Sequence, residues 1–251
     1  MLFLNPYFLK HDYFKRTAVL MAVFFISVAA VAQPDKLGSW NVVNLTYKPN
    51  QHFSAFAELQ ARSQRFINDF FYHEEKAGIG YSLPKKISVV IAVGDYRTYD
   101  YPGNFKDLQT KEFRLWEQLV MNSYIDPLRV EHRFRIEQRW INGTYRNRFR
   151  YRINPIIPIS GKTLSPHVLF ATAFEEVFFT DKAPYFERNR FFVGAGYLFS
   201  NLFTLQSGFI RQFDYRTSDN GSGKNFIQTT LLFSIDKSAA PNVNRHPSTM
   251  D

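Results

Sequence analysis

Residues 129–154 read RVEHRFRIEQRWINGTYRNRFRYRIN, and the Asn142-Gly143 within them is the strongest short signal for a two-residue hairpin turn. Fixing that turn sets Ile141 opposite Thr144, and the register runs outward from there. Arg139 then faces Arg146, Glu137 faces Arg148, Arg135 faces Arg150 and Arg133 faces Arg152. The alternate positions pair Trp140 with Tyr145, Ile136 with Phe149, Phe134 with Tyr151 and His132 with Ile153. Side chains alternate faces along a strand, so one face of this hairpin is charged and the other apolar or aromatic. In a soluble sandwich the charged face would be the outside. Aromatic strands repeated along an exported chain lead to the opposite expectation, with the apolar side toward lipid and the charged side toward a lumen.

The composition agrees with strands that are apolar on one side only. The chain has 251 residues with 27 Phe and 14 Tyr, yet its mean hydropathy is −0.28. No long apolar run follows residue 32. The absence of cysteine rules out a disulfide framework and any Cys-based metal or redox site. A net charge of +9 is compatible with nucleic acid, anionic lipid or an acidic ligand. There is no nucleic-acid motif, and the basic residues concentrate on strand faces.

The N-terminal segment reads as an export signal. Lys10, Lys15 and Arg16 precede the apolar run Thr17 to Ala32, which closes on the small-x-small site Ala30-Val31-Ala32. That run is short of the roughly 20 residues a spanning helix needs, and no Cys follows it to carry a lipid anchor. The expected organisation is a signal peptide at 1–32, a barrel at 33–236 and a polar tail at 237–251.

Further turn and loop signals divide the remainder. The expected strands are Ser39–Tyr47, His52–Gln64, Phe70–Leu83, Ile87–Thr98, Glu112–Ile125, the two hairpin strands, Pro166–Phe178, Arg188–Phe199, Leu202–Asp214 and Asn225–Ile235. Each is close to the length a tilted strand needs to cross a bilayer. The fold class is therefore all-β, an antiparallel up-and-down outer-membrane β-barrel. Eleven strands are counted, and the even-strand rule for bacterial barrels favours twelve. Ile156 to Leu164, with Pro155, Pro158 and Gly161 in or beside it, is expected to turn the chain. Pairing Ile125 with Leu128 puts Glu112, Arg114, Trp116, Gln118 and Asn122 on the charged side. Glu117 falls among the apolar positions, a departure from the pattern, so either a β-bulge rotates it inward or this register is wrong.

Several stretches resemble a known family, domain of unknown function 2490. They are Leu115 to Leu119, His132 to Arg139, Arg146 to Arg152, Glu175 with Phe178, and Arg190 to Tyr197. The resemblance extends from Gly38 to Asp236. It implies an outer-membrane barrel of the kind found in many Bacteroidetes, and it brings no activity, catalytic residue or cofactor.

The candidate site is the arginine ladder, namely Arg133, Arg135, Glu137, Arg139, Arg146, Arg148, Arg150 and Arg152. Three of its cross-strand pairs set Arg against Arg, which destabilises a sheet unless counter-charges or water intervene. Glu58, Glu74, Glu112, Glu131 and Glu137 are available on inward faces. One reading is a structural ion network filling a narrow barrel. The other is a porin-like, anion-binding lumen for small anionic solutes or acidic saccharides. The partner expected outside is outer-membrane lipid. Two alternatives from other classes are a lumenal lipid-modifying hydrolase and a soluble periplasmic barrel that holds an acidic ligand. Against a hydrolase, there is no Gly-x-Ser-x-Gly elbow, and His73, His132 and His167 stand at no triad spacing. No zinc or calcium ligand spacing is present, and neither a cofactor nor a nucleic-acid partner is expected.

Overall fold

The computed structural model describes residues 37–217 and 221–237; the signal segment and almost all of the polar tail lie outside them. The described residues form eleven strands: β1 (Leu37–Lys48), β2 (Phe53–Arg65), β3 (Asn68–Leu83), β4 (Ile87–Tyr99), β5 (Leu108–Ile125), β6 (Leu128–Ile141), β7 (Thr144–Pro158), β8 (Leu169–Thr180), β9 (Phe186–Leu198), β10 (Phe203–Asp214) and β11 (Ser222–Asp236). They close into one barrel in sequence order, each strand antiparallel to the next.

The strand count corrects the expectation of twelve. In an up-and-down meander an odd number of strands leaves the first and last pointing the same way. Closure then requires a parallel pair, and β1 pairs with β11 in parallel from Leu37↔Asn225 to Lys48↔Asp236. The start of β1 and the end of β11 therefore lie at opposite ends of the barrel.

The hairpin register agrees with the reading from Asn142-Gly143 at every pair from Ile141↔Thr144 to His132↔Ile153. Both turn residues have positive φ, 46° for Asn142 and 84° for Gly143, as the tight turn that matches strand twist requires. Glu117 lies between Ile91 and Ile136, and both ladders run without a register shift on either side of it, so no bulge turns it inward. It faces outward and accepts a hydrogen bond from Gln138 Nε2 at 3.2 Å.

A second correction concerns residues 156–164. β7 continues through Pro155 to Pro158, and the chain reverses only between Ile159 and Val168. Leu164 of that connection packs with Ile156, Phe170 and Leu198, buried inside one end of the barrel. The loop caps that end.

Strand alternation places large apolar side chains on the outside all round the barrel. Leu45, Leu59, Ile79, Ile91, Ile136 and Ile157 are exposed on the outward face. Aromatic residues gather toward both ends, with Tyr47, Phe53, Tyr81 and Tyr124 at one and Phe113, Trp140, Tyr145 and Phe179 at the other. Inside, aromatic rings lie over glycine. A Cβ on Gly196 would meet Phe170 Cζ at 2.2 Å, and one on Gly194 would meet Ser207 O at 2.4 Å and Phe192 Cζ at 2.7 Å. The Gly-Ala-Gly run of β9 thus makes room for large rings in a narrow lumen.

Candidate functional site

The site is the charged lumen, and its geometry follows from the period of two in each strand. On β6, Arg133, Arg135, Glu137 and Arg139 point inward, and on β7 Arg148, Arg150 and Arg152 do the same; all seven are buried. Arg146 sits half-buried at the rim, where its Nη2 donates to Thr180 Oγ1 at 2.8 Å and to the Lys182 carbonyl at 3.2 Å.

Arg opposite Arg is tolerated because carboxylates from this hairpin and from neighbouring strands interleave with the ladder. Glu137 accepts from Arg148 Nε at 2.7 Å and Arg150 Nη1 at 2.7 Å, and lies 3.5 Å from Arg135 Nη1. Glu176, reaching in from β8, accepts from Arg150 Nε at 3.1 Å and Nη2 at 2.9 Å. It also pairs with Arg133 Nη2 at 2.5 Å and Arg190 Nη1 at 3.7 Å. Glu131 holds Arg152 Nη2 at 2.8 Å and Arg129 Nη2 at 3.3 Å. Glu112 holds Arg114 Nε at 2.6 Å and Arg139 Nε at 2.5 Å. Glu187 reaches Arg139 Nη1 at 3.2 Å and Arg148 Nη1 at 3.6 Å. The register shift at Phe178/Phe179 puts Glu187 in the lumen beside Arg188.

Each carboxylate therefore bridges at least two guanidinium groups, as buried charges must if removing them from water is to be offset. Aromatic faces complete the lining. The guanidinium of Arg135 lies 3.9 Å from the centroid of Trp116 and that of Arg150 lies 4.6 Å from Phe178. Gln118 Oε1 accepts from Arg135 Nε at 2.9 Å and Nη2 at 2.7 Å.

A second charged cluster lies across the lumen on β1 to β3. Lys76 Nζ meets Glu58 at 2.5 Å and Glu74 at 2.8 Å, and Arg62 Nη2 meets Glu74 at 3.3 Å. Arg62 stacks over Trp40 at 3.5 Å, while Trp40 Nε1 donates to Gln60 Oε1 at 2.7 Å. Glu58 and Glu74, expected to neutralise the ladder, thus serve Lys76 and Arg62.

Reasoning from the sequence missed Glu176 and Glu187. In Glu175-Glu176 one carboxylate must face each way, and Phe occupies both parities of β8, so no hydropathy contrast marks the inward face. Glu187 enters only through the register shift. The three candidate histidines do not come together: His73 meets Tyr99 Oη at 3.0 Å, His132 meets Tyr151 Oη at 2.9 Å, and His167 is in the β7–β8 connection.

The model of the family described as "Protein of unknown function (DUF2490)" matches residues 37–223. The chain belongs to this family. The match covers the barrel from the first residue of β1 into the start of β11. No curated protein and no solved structure matches the chain.

Proposed function

We propose that this DUF2490 protein is an exported outer-membrane barrel with a structural role in the envelope, its lumen shut by the ion network rather than open as a pore. The observation that carries the closed reading is burial. Arg133, Arg135, Arg148 and Arg152 are among the largest fully buried side chains in the described chain. In a water-filled channel, lining arginines would be solvent-accessible. Leu164 adds an apolar cap at one end. Membrane insertion is supported by the outward apolar belt and its aromatic ends, the pattern of bilayer-spanning barrels.

The test is planar-bilayer recording on refolded protein whose insertion is checked by protease protection. The expected result is no steady conductance in the wild type. A stable anion-selective conductance would overturn the closed reading and restore the porin-like one.

One observation favours a second reading, an anion held within the closed lumen. Eleven basic side chains are buried among the described residues against seven acidic ones. The half-buried rim does not remove the excess, adding Arg146, Arg188 and Lys224 to one side and Glu187 and Asp214 to the other. A low-dielectric interior with surplus positive charge attracts a counter-anion. Sulfate at fixed ionic strength should then raise the temperature of the heat-induced gel shift relative to chloride, and Arg152→Gln should abolish the difference.

A further inference from the structure

On the outer face of β8 to β11, one row of ladder partners runs Glu175, Phe191, Arg211, Asn225. It carries a full positive and a full negative charge on the mainly apolar outward side of the barrel. Arg211 is exposed and has no hydrogen bond or ion pair among the described residues. Glu175 accepts from Asn189 Nδ2 at 3.1 Å. The Oδ1 atoms of Asn189 and Asn225 are buried without hydrogen-bond partners. Arg211 and Glu175 are not paired with each other; two strand spacings, roughly 10 Å, separate their backbones, with Phe191 between.

Asn189, Phe191, Arg211, Phe213 and Tyr215 line a groove of about 340 Å³. Its height is informative. Arg211 lies near the end of β10 at Asp214, where Tyr215 packs edge-on against Phe213 and at a tilt against Phe186, with ring centroids 4.8 and 4.6 Å apart. Aromatic girdles mark the headgroup level of membrane barrels. At that level a guanidinium meets phosphate, for which its fork of donors is well matched. The Glu175 carboxylate and the unpartnered carboxamide oxygen of Asn189 instead require a donor, and a primary ammonium carries three N–H groups.

We propose that this groove seats the headgroup of an aminophospholipid of the phosphatidylethanolamine kind, its phosphate on Arg211 and its primary ammonium on Glu175 and Asn189. The proposal rests on the membrane reading above and adds to it the identity of a bound lipid. A purely anionic lipid would leave the acceptors unmet. A choline lipid has no N–H to donate.

The test is lipid retention. Protein reconstituted into vesicles of equal parts phosphatidylethanolamine, phosphatidylglycerol and phosphatidylcholine is extracted in mild detergent, and bound lipid is counted by native mass spectrometry. The wild type should retain phosphatidylethanolamine about tenfold over the other two. Arg211→Gln and Glu175→Gln should each lose most of that preference. Arg97→Gln should keep it, because Arg97 is an outward arginine already paired with Asp95 at 2.8 Å. The heat-induced gel shift confirms that each variant is folded. Equal retention of the three lipids, or equal retention by wild type and Arg211→Gln, overturns the proposal while insertion still stands. Failure of the wild type to insert overturns both readings together.

Discussion

Glu176→Gln is the most informative single change in the lumen. Glu176 contacts three arginines, with Arg150 bound through both Nε and Nη2, Arg133 at 2.5 Å and Arg190 at 3.7 Å. All four side chains are at most 5% exposed. Glutamine keeps the shape and one acceptor oxygen but removes the charge. Arg150 then retains Glu137 at 2.7 Å, whereas Arg133 and Arg190 lose their Glu176 ion pairs. Breaking a buried pair by removing one partner costs ~3–5 kcal/mol, and the remaining acceptor places the expectation near the lower bound, about 3 kcal/mol. The reference is Arg146→Gln, a rim residue bonded to a hydroxyl and a carbonyl, where the loss should be about 1 kcal/mol or less. The assay is reversible urea unfolding in lipid vesicles, followed by tryptophan fluorescence and by heat-modifiable mobility. If Glu176→Gln lowers stability no more than Arg146→Gln does, the lumen is wet enough to screen these charges and the structural network is refuted.

Three further outcomes are expected. Of the three tryptophans, Trp40 and Trp116 are buried and Trp140 is exposed, so brominated lipid should quench only the Trp140 emission and Trp140→Phe should abolish quenching; quenching that survives this change would contradict the outward face. If the proposed insertion holds, Glu117→Leu should raise stability in vesicles by about 1 kcal/mol, because a carboxylate facing lipid is unfavourable; urea midpoints with unchanged slope would measure it. Gly196→Val should lower stability by about 1–3 kcal/mol through the clash of its Cβ with Phe170, and Phe170→Leu in the same chain should recover part of that loss.

The sequence alone determined most of what is local. A turn with two left-handed residues and strands of strict period two set the register of the Asn142-Gly143 hairpin, and with it which arginines point inward and which aromatics point out. These are properties of a few adjacent residues, and any sheet containing them has the same two faces. Glu117 shows how far this reaches, since unbroken alternation places it outside even though its charge argues otherwise. What the tertiary structure decided is what depends on strands distant in sequence. Whether an odd meander gains another strand or closes through a parallel β1–β11 pair depends on the whole circumference. Part of the arginines' counter-charge comes from Glu176 on β8 and Glu187 at a register shift on β9, because carboxylates meet guanidinium groups across a lumen only a few side chains wide. Likewise, Leu164 becomes a cap only because the barrel presents an open apolar end beneath its loop. Alternation gives a side chain its direction; only closure of the barrel decides what it meets there.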